Sequence, residues 1–254
     1  MRLLRSGLEW LGEFGMFCLR LAKAAIRPPY EWQEFLRQCD LIGAKSLPLV
    51  ALAGAATGTV LSLETHASLV RFGAKAFLPS IIVFSMMKES GPIITGLVVS
   101  GRAGAGIGAQ LGSMKATEQI DAMEAAAVDP FKYLAATRVA ACALMLPLLT
   151  IAANFCGILM GWVADAATEP VTLRLFLENG FKSLAFGDYI PSILKTAVFG
   201  IIIGLVACFQ GMRTRGGTEG VGRSTINSVV VSSLLVILAD VALVRLTLLI
   251  WPAT

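Results

Sequence analysis

The chain has 254 residues, of which 56% are hydrophobic and only 15% are charged, and its formal net charge is +4. Soluble domains carry charge on about a quarter of their residues, so this composition excludes an ordinary water-soluble protein and favours one that lies in a membrane. The basic residues form no concentrated face with interleaved aromatic residues, which argues against nucleic-acid binding.

Residues 1–27 are predicted to form an amphipathic helix in the lipid headgroup layer. Apolar or small residues recur at spacings of three and four, which places them on one helical face: Leu3, Gly7, Trp10, Phe14, Phe17 and Leu21. Basic residues fall largely elsewhere and would meet anionic lipid, and Pro28 and Pro29 end the helix. The alternative is a helix that packs on the rest of the protein. Residues 1–45 are thus expected to be an interfacial helix with its connector, and residues 46–254 a transmembrane domain.

Five apolar segments follow, at about 47–69, 77–101, 134–164, 190–210 and 226–251. Each is expected to be a helix, because backbone groups in hydrocarbon must be hydrogen-bonded within their own segment. The predicted fold is an all-α polytopic membrane protein. With the N-terminus in the cytoplasm, fourteen lysines and arginines lie inside and only four outside, as the positive-inside rule requires. Five spans then leave the C-terminus on the periplasmic side.

Two charged residues lie deep in the second span. At about 1.5 Å per residue from Phe77, Lys88 and Glu89 lie roughly 16–18 Å into the membrane. An isolated charge at that depth costs at least about 2.5 kcal/mol, so each needs a partner or a water-filled cavity. Pro92 leaves the carbonyl of Lys88 without its usual helical donor, so a kink and a polar site are expected to coincide.

The glycine-rich run that follows is predicted to be a helix-packing surface. Gly104, Gly108 and Gly112 recur at every fourth residue, which lets neighbouring helices approach closely. The chain has no GxxxxGK[ST] phosphate loop, so it is not expected to bind and hydrolyse ATP by that route.

Residues 113–134 are predicted to include a short cytoplasmic helix. Thr117 is the expected cap, and Ile120, Met123 and Ala127 would share one face. Acidic residues would occupy another face: Glu118, Asp121, Glu124 and Asp129. Such a helix either closes a loop or presents a surface to a cytoplasmic partner.

Other ionisable residues fall in or near the remaining spans. His66 lies near the outer end of the first span and Lys195 near the outer end of the fourth, so both are expected to join Lys88 and Glu89 in one cavity. The alternative is that these residues pair with one another and only fix helix packing. Asp240 and Arg245 in the fifth span are expected to pair with each other and fix helix packing.

The most specific feature of the chain is an ordered series of motifs. These are ESGPIITG at 89–96, SGRAG at 100–104, KATEQIDAME at 115–124, AVDP at 127–130 and GVGRST at 220–225, followed by Ser232, Ser233 and Asp240. Together they resemble the MlaE permease family, and the resemblance covers about residues 47–252. That family supplies the membrane subunit of ABC transporters that move phospholipids between the inner and outer membranes of Gram-negative bacteria.

The resemblance implies a homodimeric permease in the bacterial inner membrane that is not itself an enzyme. ATP and magnesium would be bound by a cytoplasmic ABC ATPase, and further partners would be a periplasmic lipid-binding protein with an MCE domain and a STAS-domain regulator. The segment implied to couple to the ATPase contains Lys115, Glu118, Gln119, Asp121, Met123, Glu124 and Asp129. The expected lipid cavity contains His66, Lys88, Glu89 and Lys195, with the two lysines meeting phosphate.

Three other functions remain open from the sequence. The intramembrane charges also suit an ATP-independent secondary transporter of a hydrophobic or anionic substrate, although repeated broken helices are not apparent. A membrane enzyme would need a catalytic constellation or metal ligands, and this chain has one histidine and five widely spaced cysteines. A purely structural anchor would not need charges at mid-membrane.

Overall fold

The described part of the chain forms helices and the turns between them, with no β-strand. The structure is a computed structural model that describes residues 2–26, 31–182 and 186–250. Its α-helices are α1 (Arg2–Ile26), α2 (Trp32–Cys39), α3 (Leu47–Arg71), α4 (Leu78–Ser85), α5 (Gly91–Val99), α6 (Ala105–Ala116), α7 (Gln119–Ala125), α8 (Thr137–Ala166), α9 (Leu173–Phe181), α10 (Phe186–Met212) and α11 (Gly217–Ile250). Turns of π-helix join several of them, at Asp40–Ala44, Met86–Ser90, Ser100–Gly104 and Phe131–Ala136.

Within these ranges, five helical stretches are long and apolar enough to cross a membrane. They are span 1 (Trp32–Arg71), span 2 (Lys75–Ala116), span 3 (Phe131–Ala166), span 4 (Tyr189–Met212) and span 5 (Gly217–Thr247). The predicted all-α polytopic fold is confirmed. Span 2 continues well past the predicted end at residue 101, because its glycine-rich half remains helical and packs inside the bundle.

The centre of the bundle is α8, which packs against α3 on one side and α10 on the other. Small residues make these contacts possible. A Cβ atom added to Gly58 of α3 would collide with the carbonyl oxygen of Gly157 of α8, and one added to Gly200 of α10 would collide with the carbonyl oxygen of Cys142. The backbones therefore touch directly, which is how membrane helices gain packing energy where lipid is as apolar as their side chains.

The predicted glycine stripe of α6 lies against α10 and α11. A Cβ on Gly108 would collide with the Ser228 hydroxyl of α11, and one on Gly112 would lie 2.8 Å from the Thr214 hydroxyl. At Gly104 the contact is looser, with Ile203 at 3.5 Å. Beyond this contact, α11 exposes an apolar face, which suits contact with lipid or a second helix: Val230, Leu234, Leu238 and Val241.

The N-terminal helix α1 is fixed to the end of α10 by aromatic residues. The ring of Phe209, which is buried, lies 5.2 Å from that of Phe14, 5.5 Å from that of Phe17 and 5.7 Å from that of Trp10. Glu13 forms an ion pair with Arg213.

The predicted apolar face of α1 thus packs on the protein, as in the alternative considered above. Other apolar side chains of α1 do not pack on the protein and are exposed: Leu11, Met16, Leu19 and Ile26. The interfacial position of α1 stays a prediction. The burial of Leu3 and Gly7, and the expected stop at Pro28 and Pro29, lie outside what the structure describes.

Candidate functional site

A cluster of three charged side chains lies inside the bundle. The Nζ atom of Lys195, on α10, lies 2.9 Å from the Oε2 atom of Glu89 and 2.9 Å from the Oδ1 atom of Asp240, on α11. The side chains of Lys195 and Asp240 are each only 6% exposed, whereas that of Glu89 is 44% exposed. The pairing offsets the cost of burying Lys195 and Asp240, since a paired charge in a membrane interior is far less unfavourable than an isolated one.

The predicted pairing of Asp240 with Arg245 is wrong. Asp240 contacts Lys195 instead, and Arg245 is exposed. The physical reason is the helical period: five residues turn an α-helix by about 140°, so Arg245 points well away from the bundle interior that Asp240 faces.

The backbone beside the cluster is irregular because of Pro92. A proline donates no N–H to the preceding turn, and the chain forms a π-helical turn at Met86–Ser90 just before α5. The hydroxyl of Ser192, on α10, donates to the carbonyl oxygens of Met87 (2.6 Å) and Lys88 (3.1 Å). The predicted orphan carbonyl of Lys88 therefore has a donor, from a residue that the sequence did not single out.

The cluster opens into a small cleft with a polar wall. Its lining residues are Lys88, Glu89, Pro191, Ser192, Lys195, Val244 and Thr247. The ammonium of Lys88 lies 4.7 Å from the centroid of the Phe84 ring, a cation–π contact. Lys88, Glu89 and Lys195, which were expected to share one cavity, therefore do so.

An apolar groove of about 350 Å³ adjoins this cleft. Pro191, Lys195 and Thr247 line both spaces, and the groove continues over aliphatic side chains of α10 and α11: Ile190, Leu194, Val198, Leu243 and Leu246. A charged cleft that continues into an aliphatic groove fits an amphiphile, because the ligand's polar and apolar parts each meet a matching surface.

His66 lies apart from the cleft. Its Nδ1 atom lies 3.3 Å from the Oδ1 atom of Asp165, which is buried at the end of α8. The structure of one chain thus brings together three of the four predicted cavity residues but not the histidine.

The segment after span 2 contains a short helix, α7, as predicted. Ile120 is buried and Met123 partly buried against the core, while Glu118, Gln119, Glu124 and Asp129 are exposed. Lys115 and Asp121 form an ion pair of 2.6 Å beside them. The segment therefore offers a mostly acidic surface at one end of the bundle.

Two details of this segment differ from the prediction. The Thr117 hydroxyl donates to the Ser113 carbonyl oxygen of α6 (2.9 Å), so it closes the preceding helix and does not cap α7. Ala127 lies beyond α7 and is exposed, so it does not share the apolar face of Ile120. Glu118 and Ala127 adopt left-handed backbone angles (φ 58° and 59°) and hence turn the chain sharply at either end of α7.

The sequence analysis missed two residues of the cleft region. Asp240 was assigned to another partner and Ser192 was not considered. The only available signal was depth: Asp240, Lys195 and Glu89 all fall within spans, where each charge needs an opposite one.

Five candidate membrane spans around a charged cleft define a polytopic membrane protein. The model of the family described as "Permease MlaE" matches residues 35–246. The chain belongs to the MlaE permease family.

Relatives in bacteria and plants bear this out. A probable ABC transporter permease protein of Rickettsia felis is 34% identical over 236 residues, which is 93% of this chain and 91% of the relative. A probable ABC transporter permease protein of Synechocystis is 32% identical, over 81% of this chain and 78% of the relative. The chloroplastic protein TRIGALACTOSYLDIACYLGLYCEROL 1 of Arabidopsis thaliana is 31% identical, over 90% of this chain and 64% of the relative.

Proposed function

We propose that this chain is the membrane subunit of an ATP-driven phospholipid transporter in the bacterial inner membrane. The observation that supports this proposal most directly is the cleft with Lys88 and Lys195, which continues into an aliphatic groove. The lysines would meet the lipid phosphate through charge-assisted hydrogen bonds, and the groove would hold acyl chains.

Two copies of the chain would enclose a lipid chamber open to the periplasm, with the N-terminus in the cytoplasm and the C-terminus outside. A separate cytoplasmic ABC ATPase would bind ATP and magnesium and grip the acidic surface around α7. The relatives named ABC transporter permease support this arrangement. An MCE-domain lipid-binding protein and a STAS-domain regulator complete the proposed assembly, and His66 would face its periplasmic opening.

The helix packing suggests how a movement of the ATPase would be transmitted to the lipid cleft. The helix α7 follows α6 directly, and α6 packs closely on α11 at Gly108 and Ser228. The other half of α11 carries Asp240, which holds Lys195. A push on α7 would therefore move the helix that carries one wall of the charged cluster.

The test is the amount of phospholipid that copurifies with the assembly, ATPase included, measured by mass spectrometry. We expect Lys88→Met to lower it several-fold. Lys195→Met would leave Asp240 buried without a counter-charge, so the double variant Lys195→Met with Asp240→Asn is used to remove both charges. The matched control is Lys182→Met, since Lys182 is exposed and contacts Asn179 outside the cleft.

Unchanged lipid recovery in both cleft variants would contradict the proposal. So would phospholipid movement in vesicles that hold this chain without any ATPase, which is the behaviour of a secondary transporter. Labelling of a cysteine placed at Glu124 from the periplasmic side would place α7 beyond the motor's reach and would contradict the proposed coupling.

A further inference from the structure

The charges at the cleft balance, and this has a consequence for the lipid head group. Two cations, Lys88 and Lys195, stand against two carboxylates, Glu89 in the wall and Asp240 behind Lys195. Arg245 is exposed and is not among the lining residues. Counted with all four groups ionised, the described part of the site carries no formal net charge before a ligand enters.

The two carboxylates are not equivalent towards a ligand. Asp240 is almost fully buried and faces Lys195, whereas the Glu89 side chain is 44% exposed on the cleft. Glu89 is thus the acidic group that an entering head group meets. Its neighbour Lys88 lies on the same π-helical turn and lines the same cleft, so a cation and an anion are presented side by side.

Resting on the proposed function, we propose that the cleft selects phospholipids whose head group carries both a phosphate and a cationic nitrogen. Lys88 and Lys195 bind the phosphate, and Glu89 accepts the cationic group. A zwitterionic head group adds no net charge to the site, while a head group of net charge −1 leaves one negative charge uncompensated. That difference disfavours phosphatidylglycerol against phosphatidylethanolamine.

The experiment measures which lipid the assembly retains from an equal mixture. The complex with its ATPase is reconstituted in nanodiscs of phosphatidylethanolamine and phosphatidylglycerol with identical acyl chains, then extracted, and the bound lipid is analysed by mass spectrometry. We expect phosphatidylethanolamine to be enriched on the order of tenfold, the effect of one charge contact in a partly exposed site. Phosphatidylcholine, which has the same net charge, is expected to compete better than phosphatidylglycerol.

Two variants assign the selectivity to the cleft. Glu89→Gln leaves Lys195 paired with Asp240, but it removes the acceptor of the cationic group and gives the site one net positive charge. It is expected to abolish the preference for phosphatidylethanolamine or to reverse it, while total bound lipid is retained. Thr247→Lys adds a cation to the lining and is expected to shift the ratio towards phosphatidylglycerol. The control Glu178→Gln removes an exposed carboxylate of α9 that pairs with Arg174 and leaves the ratio unchanged.

The outcomes separate this inference from the proposed function. A wild-type complex that retains no phospholipid rejects the proposed function. A complex that retains both lipids equally, or prefers phosphatidylglycerol, rejects head-group selection alone. An unchanged ratio in both Glu89→Gln and Thr247→Lys also overturns the inference, and so does phosphatidylcholine that competes no better than phosphatidylglycerol.

Discussion

The Ser192 hydroxyl holds the backbone at the place where Pro92 interrupts it. It donates across helices to the carbonyl oxygens of Met87 and Lys88, 2.6 and 3.1 Å away. Lys88 and Glu89 lie on that same π-helical turn. The position of these two cleft residues therefore depends on one hydroxyl group of α10.

We expect Ser192→Ala to destabilise the protein by about 1–3 kcal/mol, because buried carbonyl groups lose their donor. Thermal unfolding in detergent measures the change. Ser68→Ala is the control, since the Ser68 hydroxyl donates only within its own helix, to the Glu64 carbonyl oxygen, at an exposed position. Equal effects of the two substitutions would show that the contact between α10 and span 2 is not needed there.

For single residues, the sequence predicted which charged side chains line the cleft better than it predicted which of them form ion pairs. Lys88, Glu89 and Lys195 stood out because a charge at membrane depth needs an explanation. The choice of Asp240 over Arg245 as a partner depends on which face of α11 turns inward. A span apolar on all sides does not reveal that face, so the pairing became visible only in the packed bundle.

Among the elements, the α3–α8 crossing depends most directly on side-chain size. Gly58 and Gly157 bring the two backbones into contact. Because the neighbouring atom is a backbone carbonyl, a larger residue cannot be accommodated by a rotamer change and the helices must separate.

We expect Gly58→Ala to destabilise the bundle by about 1–3 kcal/mol, as overpacking does. The control Gly106→Ala lies in α6, where no described atom is within 4 Å of an added Cβ. It should be neutral or stabilise by up to about 1 kcal/mol through helix propensity. Comparing the two melting temperatures tests this, and a Gly58→Ala protein as stable as Gly106→Ala would contradict the close crossing.

The five spans were predicted from the sequence, but most of the irregular elements were not. Apolar length predicts a helix in lipid whatever the residue order, so the five spans were recognisable. Pro92 indicated the break at Met86–Ser90, but the other π-helical turns leave no comparable pattern. No helix was predicted at Leu173–Phe181, where α9 lies between spans 3 and 4. It forms because Thr172 caps it and because buried Phe176 packs beneath it, contacts that depend on the rest of the bundle.

At the scale of the whole molecule, an ion pair between Lys75 and Glu169 connects the start of span 2 with the segment after span 3, at the end of the bundle opposite α7. The Lys75 ammonium, by hydrogen bond and by charge, lowers the pKa of Glu169 below its ordinary value of 4.5. A carboxyl group with a lowered pKa stabilises the folded state fully above its ordinary pKa and loses that contribution as the pH falls through the lowered value.

We therefore expect wild type to melt above Glu169→Gln at neutral pH, with the gap constant down to about pH 5 and closing below the ordinary carboxyl pKa. Parallel melting curves from pH 7 to pH 3 measure the gap. A gap that widens as the solution becomes more acidic would contradict the role of the ion pair.

Two of the π-helical turns, at Met86–Ser90 and Ser100–Gly104, flank α5 within span 2. Each turn holds one residue more than a regular α-turn of the same rise, so span 2 contains one extra residue at each of these two places. Loss of a single residue from either turn can be absorbed by tightening it into an α-turn, and the faces on both sides keep their directions. The same loss within α5 would twist one half of the span by about 100° relative to the other and swing Lys88 and Glu89 away from α10.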